Sequence, residues 1–228
     1  MVQRRTQRSL PRKRESPARK KPTPKTEHEK KVFTFKLFDR WDNIVTVQDP
    51  GLKNYINLSS VILPRSAGIH RNRFHKSKMH IVERLALKLL ISGHIGKRHR
   101  VTSGKFGGNY SNVIHVVEQA LELIEKKEQK NPLQILVTAI ENGAMREEVI
   151  SYQLGSIIAR EAVITAPQRR VDRTLRFIAQ VSYKKVLGKK KKLYEALAEE
   201  LIAAAHGSAD SLIIKEKDRI EREAVGAR

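Results

Sequence analysis

Apolar positions recur at helical spacing in six stretches of the chain and alternate with polar ones in a seventh. Between Lys78 and Ser92, Ile81, Leu85 and Leu89 fall at i, i+4 and i+8 with Val82 and Ala86 beside them, which predicts a helix ended by Gly93. From Ser111, Val113, Val116, Val117, Ala120 and Ile124 make one face of a second helix, and Glu118, Glu122 and Glu125 make a polar one. Asn131-Pro132 starts a third: the Asn side chain caps free N–H groups, and Pro in the first position gives up no helical hydrogen bond. Leu133, Leu136, Val137 and Ile140 face its core, and Asn142-Gly143 closes it.

The period then changes to two. Ile150, Tyr152 and Leu154 alternate with Ser151, Gln153 and Gly155. Gly155-Ser156 marks a turn, and Ala159 to Thr165 returns, which predicts a β-hairpin over about 146–165. Its first strand would bury little alone, so it reads as an arm projecting from the helices. Pro167 starts a fourth helix. Leu193, Leu197, Leu201 and Ala204 define a fifth, ended near His206-Gly207, and the SADS run at 208–211 caps a sixth, Leu212 to Ala224, anchored by Ile213 and Ile220. The expected fold is mainly α: a bundle of about six helices with a projecting β-hairpin and no internal repeat.

Two N-terminal stretches follow neither period. Residues 32–63 hold Val32, Phe33, Phe35, Phe38 and Trp41, with a turn at Asp49-Pro50-Gly51, and read as short strands or irregular chain clamped onto the helices. Residues 1–31 carry 12 Lys/Arg against three Glu, with Pro11, Pro17, Pro22 and Pro24 and almost no apolar content. Such a segment cannot offset its ordering entropy alone. It is read as a basic extension, disordered or embedded in RNA, ahead of a single domain at 32–228. The absence of an apolar run after the charges argues against a secretory signal, and the prolines argue against an amphipathic presequence helix.

Charge turns this scaffold into a functional reading. The chain has 46 Lys+Arg and 24 Asp+Glu over 228 residues, a formal net charge of +22. An excess this large opposes compaction unless an anionic partner offsets it, and nucleic acid is the partner that neutralises many charges at once. A membrane is not expected, because no apolar run approaches the roughly 20 residues that span a bilayer. The basic residues cluster in 64–80, 97–105 and 169–192, the last holding ten Lys/Arg against the single Asp172. On a helical wheel at about 100° per residue, Arg173, Arg176 and Gln180 fall within roughly 40° of Arg169, and Val171, Leu175, Ile178 and Ser182 lie near the opposite side. One helix thus offers arginines to a partner and an apolar stripe to a core.

Catalytic chemistry finds no foothold. There are no cysteines, which excludes disulfides, thiol catalysis and Cys-ligated metal. His70, His75 and His80 are spaced by five rather than the i, i+4 of a helical metal pair, so polar or phosphate contacts are expected of them. The Gly- and Lys-rich loop 93–110 lacks the spacing of a phosphate-binding loop and follows a helix rather than a strand. Carboxylate pairs such as Glu147-Glu148 and Glu199-Glu200 have no third partner in reach of a pocket. No enzyme activity, cofactor, metal or small-molecule substrate is expected. The aromatics lie mostly outside the basic runs, which disfavours a single-strand stacking platform. A helical DNA-binding or chromatin-associated protein remains the alternative to an RNA-binding one.

The pieces YINL, LPRSAG, KMHIVERLALKLL, NPLQILVTAIENGAMRE, EAVITAPQRRVDRTLRFIA and LAEELIAAAHGSADSLIIKEKDRIER occur in this order between about Phe38 and Arg228. Together they resemble the universal S-seven family of small-ribosomal-subunit proteins in its archaeal and eukaryotic form, whose eukaryotic member is called S-five. The linker GKRHRVTSGKFGGNYSN and the long N-terminus point away from the bacterial form. The resemblance implies a cytoplasmic, ribosomal, structural role: binding the 3′ major domain of small-subunit rRNA, organising head assembly beside neighbouring head proteins, and placing the hairpin near E-site tRNA and the mRNA exit. Carried over by position, the rRNA-facing candidates are Arg71, Arg73, Lys76, Lys78, Lys97, Arg98, Arg169, Arg170, Arg173, Arg176, Lys184 and Lys185. The hairpin candidates are Gln153, Leu154, Gly155, Ser156, Ile157 and Arg160. The tip LGSIIA has only Arg160 close by, so its contact is expected to be steric more than ionic.

Overall fold

Six helices and one hairpin follow one another in chain order in the computed structural model, which describes residues 35–66, 70–93 and 109–228. The helices are α1 (Ile81–Leu89), α2 (Tyr110–Glu128), α3 (Pro132–Gly143), α4 (Pro167–Val186), α5 (Leu193–Ala205) and α6 (Leu212–Val225). Strands β1 (Glu147–Leu154) and β2 (Ile157–Ile164) pair antiparallel between α3 and α4. The expected mainly α architecture is the observed one. The basic extension 1–31 and the loop carrying Lys97 and Arg98 lie outside the described residues.

The apolar stripes meet in one core. Helix α5 packs against α2, α3, α4 and α6, and α4 packs against α1, α3, α5 and α6. Leu85, Leu89, Leu121, Ile124, Leu136, Ile140, Leu175, Ile178, Leu197 and Leu201 are buried in this cluster. Asn131 caps α3 as its sequence predicts, its side chain accepting from Leu133 N at 3.0 Å. Gly143 differs in its reason. It ends α3, but a Cβ there would sit 2.8 Å from both Ile213 Cγ2 and Thr174 Cγ2, so its bare backbone is what lets α3 approach α4 and α6.

Helix α1 is shorter than its pattern predicts. It begins at Ile81 rather than Lys78, because residues His75–Lys78 form a 3-10 turn entered through Phe74 in the left-handed region (φ 65°). The aromatic stretch is irregular chain rather than sheet. Leu37 and Trp41 insert into the core, and the Trp41 indole N–H donates to Glu125 at 3.1 Å. Beyond it, Gln134 of α3 plays the part of a neighbouring strand: its Oε1 accepts from Thr46 N at 3.1 Å, and its Nε2 donates to Thr46 O at 3.0 Å. A side-chain amide thus satisfies backbone groups that a β-ladder would otherwise pair.

The hairpin turns where its sequence predicts, with Gly155 at φ 59° and Leu154 opposite Ile157. Its second strand starts two residues earlier than expected, at Ile157, because the turn needs only two residues. The base rests on α6: Arg146 N donates to Glu221 at 2.9 Å, and Arg228 holds both Glu147 oxygens at 2.6 Å. From Ile150 to Ile158 every side chain is exposed, including Ile157 at 69%.

Candidate nucleic-acid interface

Asp172 joins two basic regions that are almost a hundred residues apart in sequence. It sits on α4 and pairs with Lys76 of the 3-10 turn and with Arg84 of α1, whose guanidinium reaches its Oδ1 at 3.1 Å. Burial alone would raise the Asp172 carboxyl, but hydrogen bonds from Lys76 and Arg84 outweigh it and hold the group below its ordinary pKa. Arg84 is 3% exposed and also donates to Tyr55 O at 2.6 Å. It acts as an internal brace, and the 3-10 turn is thereby docked on α4.

Beside this brace lies the arginine row. Arg169 and Arg173 share one carboxylate: Arg169 Nη2 donates to Glu148 Oε2 at 2.8 Å, and Arg173 Nη2 lies 3.6 Å from the same oxygen. The Glu148 hydrogen bond raises the Arg169 pKa above its usual value, whereas burial, then the neighbouring Arg169 charge, lower that of Arg173. Two arginines against one carboxylate leave a net positive charge, and Arg176 adds another on the next turn. The stripe expected from the wheel is therefore present, with its first two members tethered to the hairpin base.

Arg170 turns elsewhere. Its Nη2 donates to Asp49 at 2.9 Å and its Nε to Met145 O at 3.1 Å, with the side chain 13% exposed. That guanidinium ties the segment around Asp49 to the end of α3. Lys185 likewise faces inward, its Nζ 2.5 Å from the fully buried Glu200. Arg71, Arg73, Lys78 and Lys184 are exposed, Arg73 with its guanidinium 5.0 Å over the Phe74 ring. Lys76, Arg169, Arg173 and Arg176 are thus carried on the α1–α4 side of the bundle, Lys78 is exposed at the end of the 3-10 turn, and Arg170 and Lys185 serve as ties.

Sequence reasoning missed Arg84 and Lys88, both placed within a core helix and passed over. Their i, i+4 spacing was the available signal, since two cations on one face of an amphipathic helix must be paired or exposed. At the hairpin, Gln153, Leu154, Gly155, Ser156 and Ile157 are exposed at the tip, and Gln153 Nε2 donates to Gly155 O at 2.9 Å. Arg160 pairs in register with Ser151, three pairs back from the turn, and lines a cleft with Glu223 and Arg228 of the C-terminal end. The tip itself carries no charged side chain.

The three histidines have separate surroundings. His70 and His75 pack edge to face at 6.3 Å, while His80 caps α1, its Nδ1 accepting from Val82 N at 3.3 Å. Burial pushes the His80 pKa down to about 4. Between its unfolded value near 6.5 and about 4, only the unfolded chain takes up the proton, so stability is full above pH 6.5 and falls as pH drops towards 4. The expected loss is about 3 kcal/mol at full protonation. Urea unfolding at pH 7 and pH 4.5 checks it: His80→Asn keeps a capping acceptor and should show a smaller pH drop than the wild type.

These features define a basic, mainly helical protein with an exposed hairpin arm, and among its described residues no helix is long and apolar enough to cross a membrane. A family model described as "Ribosomal protein S7p/S5e" matches residues 52–228, and the chain belongs to that family. It is 44% identical over 195 residues to the small ribosomal subunit protein uS7 of Nanoarchaeum equitans, covering 85% of this chain and 98% of that protein. It is 41% identical over 197 residues to the protein of the same name from Methanosphaera stadtmanae, covering 86% and 100%. With that of Methanococcoides burtonii the identity is 40% over 196 residues, covering 85% and 100%.

Proposed function

We propose that this chain, a structural constituent of the small ribosomal subunit, binds the 3′ major domain of small-subunit rRNA through its α1–α4 side and organises assembly of the subunit head. The observation that carries the reading is the junction at Asp172, which sets Lys76 beside the arginine row of α4, Arg169, Arg173 and Arg176, on rigid elements. Cations held on packed helices keep their spacing, and spacing is what matches the phosphates of a folded RNA. Neighbouring head proteins and rRNA are the partners, in the cytoplasmic ribosome. The hairpin is placed near E-site tRNA and the mRNA exit. Its uncharged tip acts there by shape, since Gln153 to Ile158 offer apolar and amide surface rather than cations.

Competition binding tests the rRNA assignment. The full chain is titrated with a 3′ major domain fragment and with random duplex DNA across a series of salt concentrations. The fragment is expected to bind more tightly at every salt concentration, with a steep log–log slope of about −0.7 to −0.9 per phosphate neutralised. Equal affinity for the two would instead favour the general DNA-binding alternative.

A further inference from the structure

Two cations that meet at one cleft on the α1–α4 side lack an acid of their own among the described residues. Lys88 of α1 and Arg176 of α4 line a cleft of about 240 Å3 together with Leu87, Ile91, Ser92 and Ala179. Neither pairs with a carboxylate among the described residues; Asp172, which Lys88 senses, is taken by Lys76 and Arg84. Ser92 is fully buried, and its Oγ has no hydrogen-bond partner among the described residues. A buried hydroxyl without a partner is unfavourable, and Ser92 thus supplies a donor available to a ligand of the cleft.

The electrostatics have the same sense. Burial lowers the Lys88 pKa, the Asp172 charge opposes this, and Lys76, Arg176 and Arg84 add to the lowering. Cations crowded into a partly dry cleft raise one another's energy, and an anion entering between them relieves the repulsion. Leu87 and Ile91 are exposed at the cleft, giving it an apolar lip beside its charged wall.

We propose that this cleft is a phosphate-binding site for one phosphodiester of an RNA backbone, with Lys88 and Arg176 as its two cations and the Ser92 hydroxyl as a further donor. The proposal rests on the rRNA-binding reading above and extends it to Lys88 and Ser92. The guanidinium fork of Arg176 suits two phosphate oxygens, and the Lys88 ammonium supplies a point charge. Ser92 donates its O–H to a non-bridging oxygen, and the ribose carbons pack on Leu87 and Ile91. A protein carboxylate brings no sugar for that lip.

The test compares the wild-type full chain with Lys88→Gln and Ser92→Ala for binding to the 3′ major domain fragment over a range of salt. Lys88→Gln is expected to reduce the salt slope by about 0.7–0.9 and weaken binding about five- to tenfold near 0.1 M salt. The melting temperature of the free variant should be unchanged or raised, because a crowded cation has been removed. Ser92→Ala should weaken binding a fewfold with the slope unaltered. Lysine acylation of the wild-type chain provides a reading that needs no variant: Lys88 should be modified when free and protected in the complex.

A folded Lys88→Gln chain with wild-type slope, or equal Lys88 acylation with and without RNA, overturns the site. If the wild-type chain shows no preference for the fragment over duplex DNA, the functional reading has failed instead. Inorganic phosphate then decides the cleft: no shift of the Lys88 side-chain resonance on its addition overturns the site as well.

Discussion

Replacing Arg169, Arg173 and Arg176 together by Gln is expected to lower the log–log salt slope of rRNA binding by about 2–3 and to weaken binding on the order of a hundredfold near 0.1 M salt. The effect is large because it removes more than three attractions. Glu148 is mostly buried and shared by Arg169 and Arg173. Without them it becomes an unpaired carboxylate directed at the phosphates, and a like charge there repels. Two results follow. The triple variant should bind more weakly than its three single variants combine to predict, and adding Glu148→Gln should recover part of the loss. Salt titrations of the three single variants, the triple variant and the fourfold variant measure both, and a triple-variant slope equal to the wild type would remove α4 from the RNA face.

Glu200→Ala is expected to destabilise the protein by about 3–5 kcal/mol, the range for removing one partner of a buried ion pair. Glu200 is fully buried on α5, where its Oε1 accepts from Ser211 Oγ at 2.8 Å and from Ile213 N at 3.0 Å. Its other oxygen faces Lys185 of α4. One carboxylate therefore caps α6 and ties three helices together. Glu200→Gln keeps an acceptor for Ser211 and Ile213 but loses the charge, so about half the loss is expected. Because α6 and the residues just after it also hold the hairpin base, through Glu221 and Arg228, hydrogen exchange in Glu200→Ala should rise along α6 and at residues 146–150 while α2 and α3 keep their protection. Denaturant midpoints and amide exchange check the two parts separately.

The helices were legible because each carries its own signal. The Asn131-Pro132 start, the apolar rows of α2 to α5 and the Ser211 cap are local, and a local pattern survives folding unchanged. The turn at Gly155 was legible for the same reason, since positive φ favours glycine wherever the chain must reverse in two residues. Helix α1 was overextended at its start by Lys78, Met79 and His80 because these residues include no breaker. What stops the helix is remote: Asn57 O takes the Ile81 N–H at 3.0 Å, and Asp172 holds Lys76.

For the site, the sequence by itself determined that there is an excess of cations, that beyond the basic extension they gather in three runs, and that one run forms a helix with an arginine row opposite an apolar one. Only the tertiary structure decided which cations are spoken for. Arg170 and Lys185 belong to the same basic run as Arg173 and Arg176, yet they point to Asp49 and Glu200 and hold the fold together. Arg84 and Lys88 lie on a core helix, one braced by Asp172 and the other without an acid of its own among the described residues. The physical reason is that a cation's role depends on where the nearest carboxylate lies. Asp49 to Arg170, Glu148 to Arg169 and Arg84 to Asp172 are pairings across 121, 21 and 88 positions. No periodicity along the chain encodes such distances; they arise when the apolar stripes pack and bring the charged residues beside them into contact.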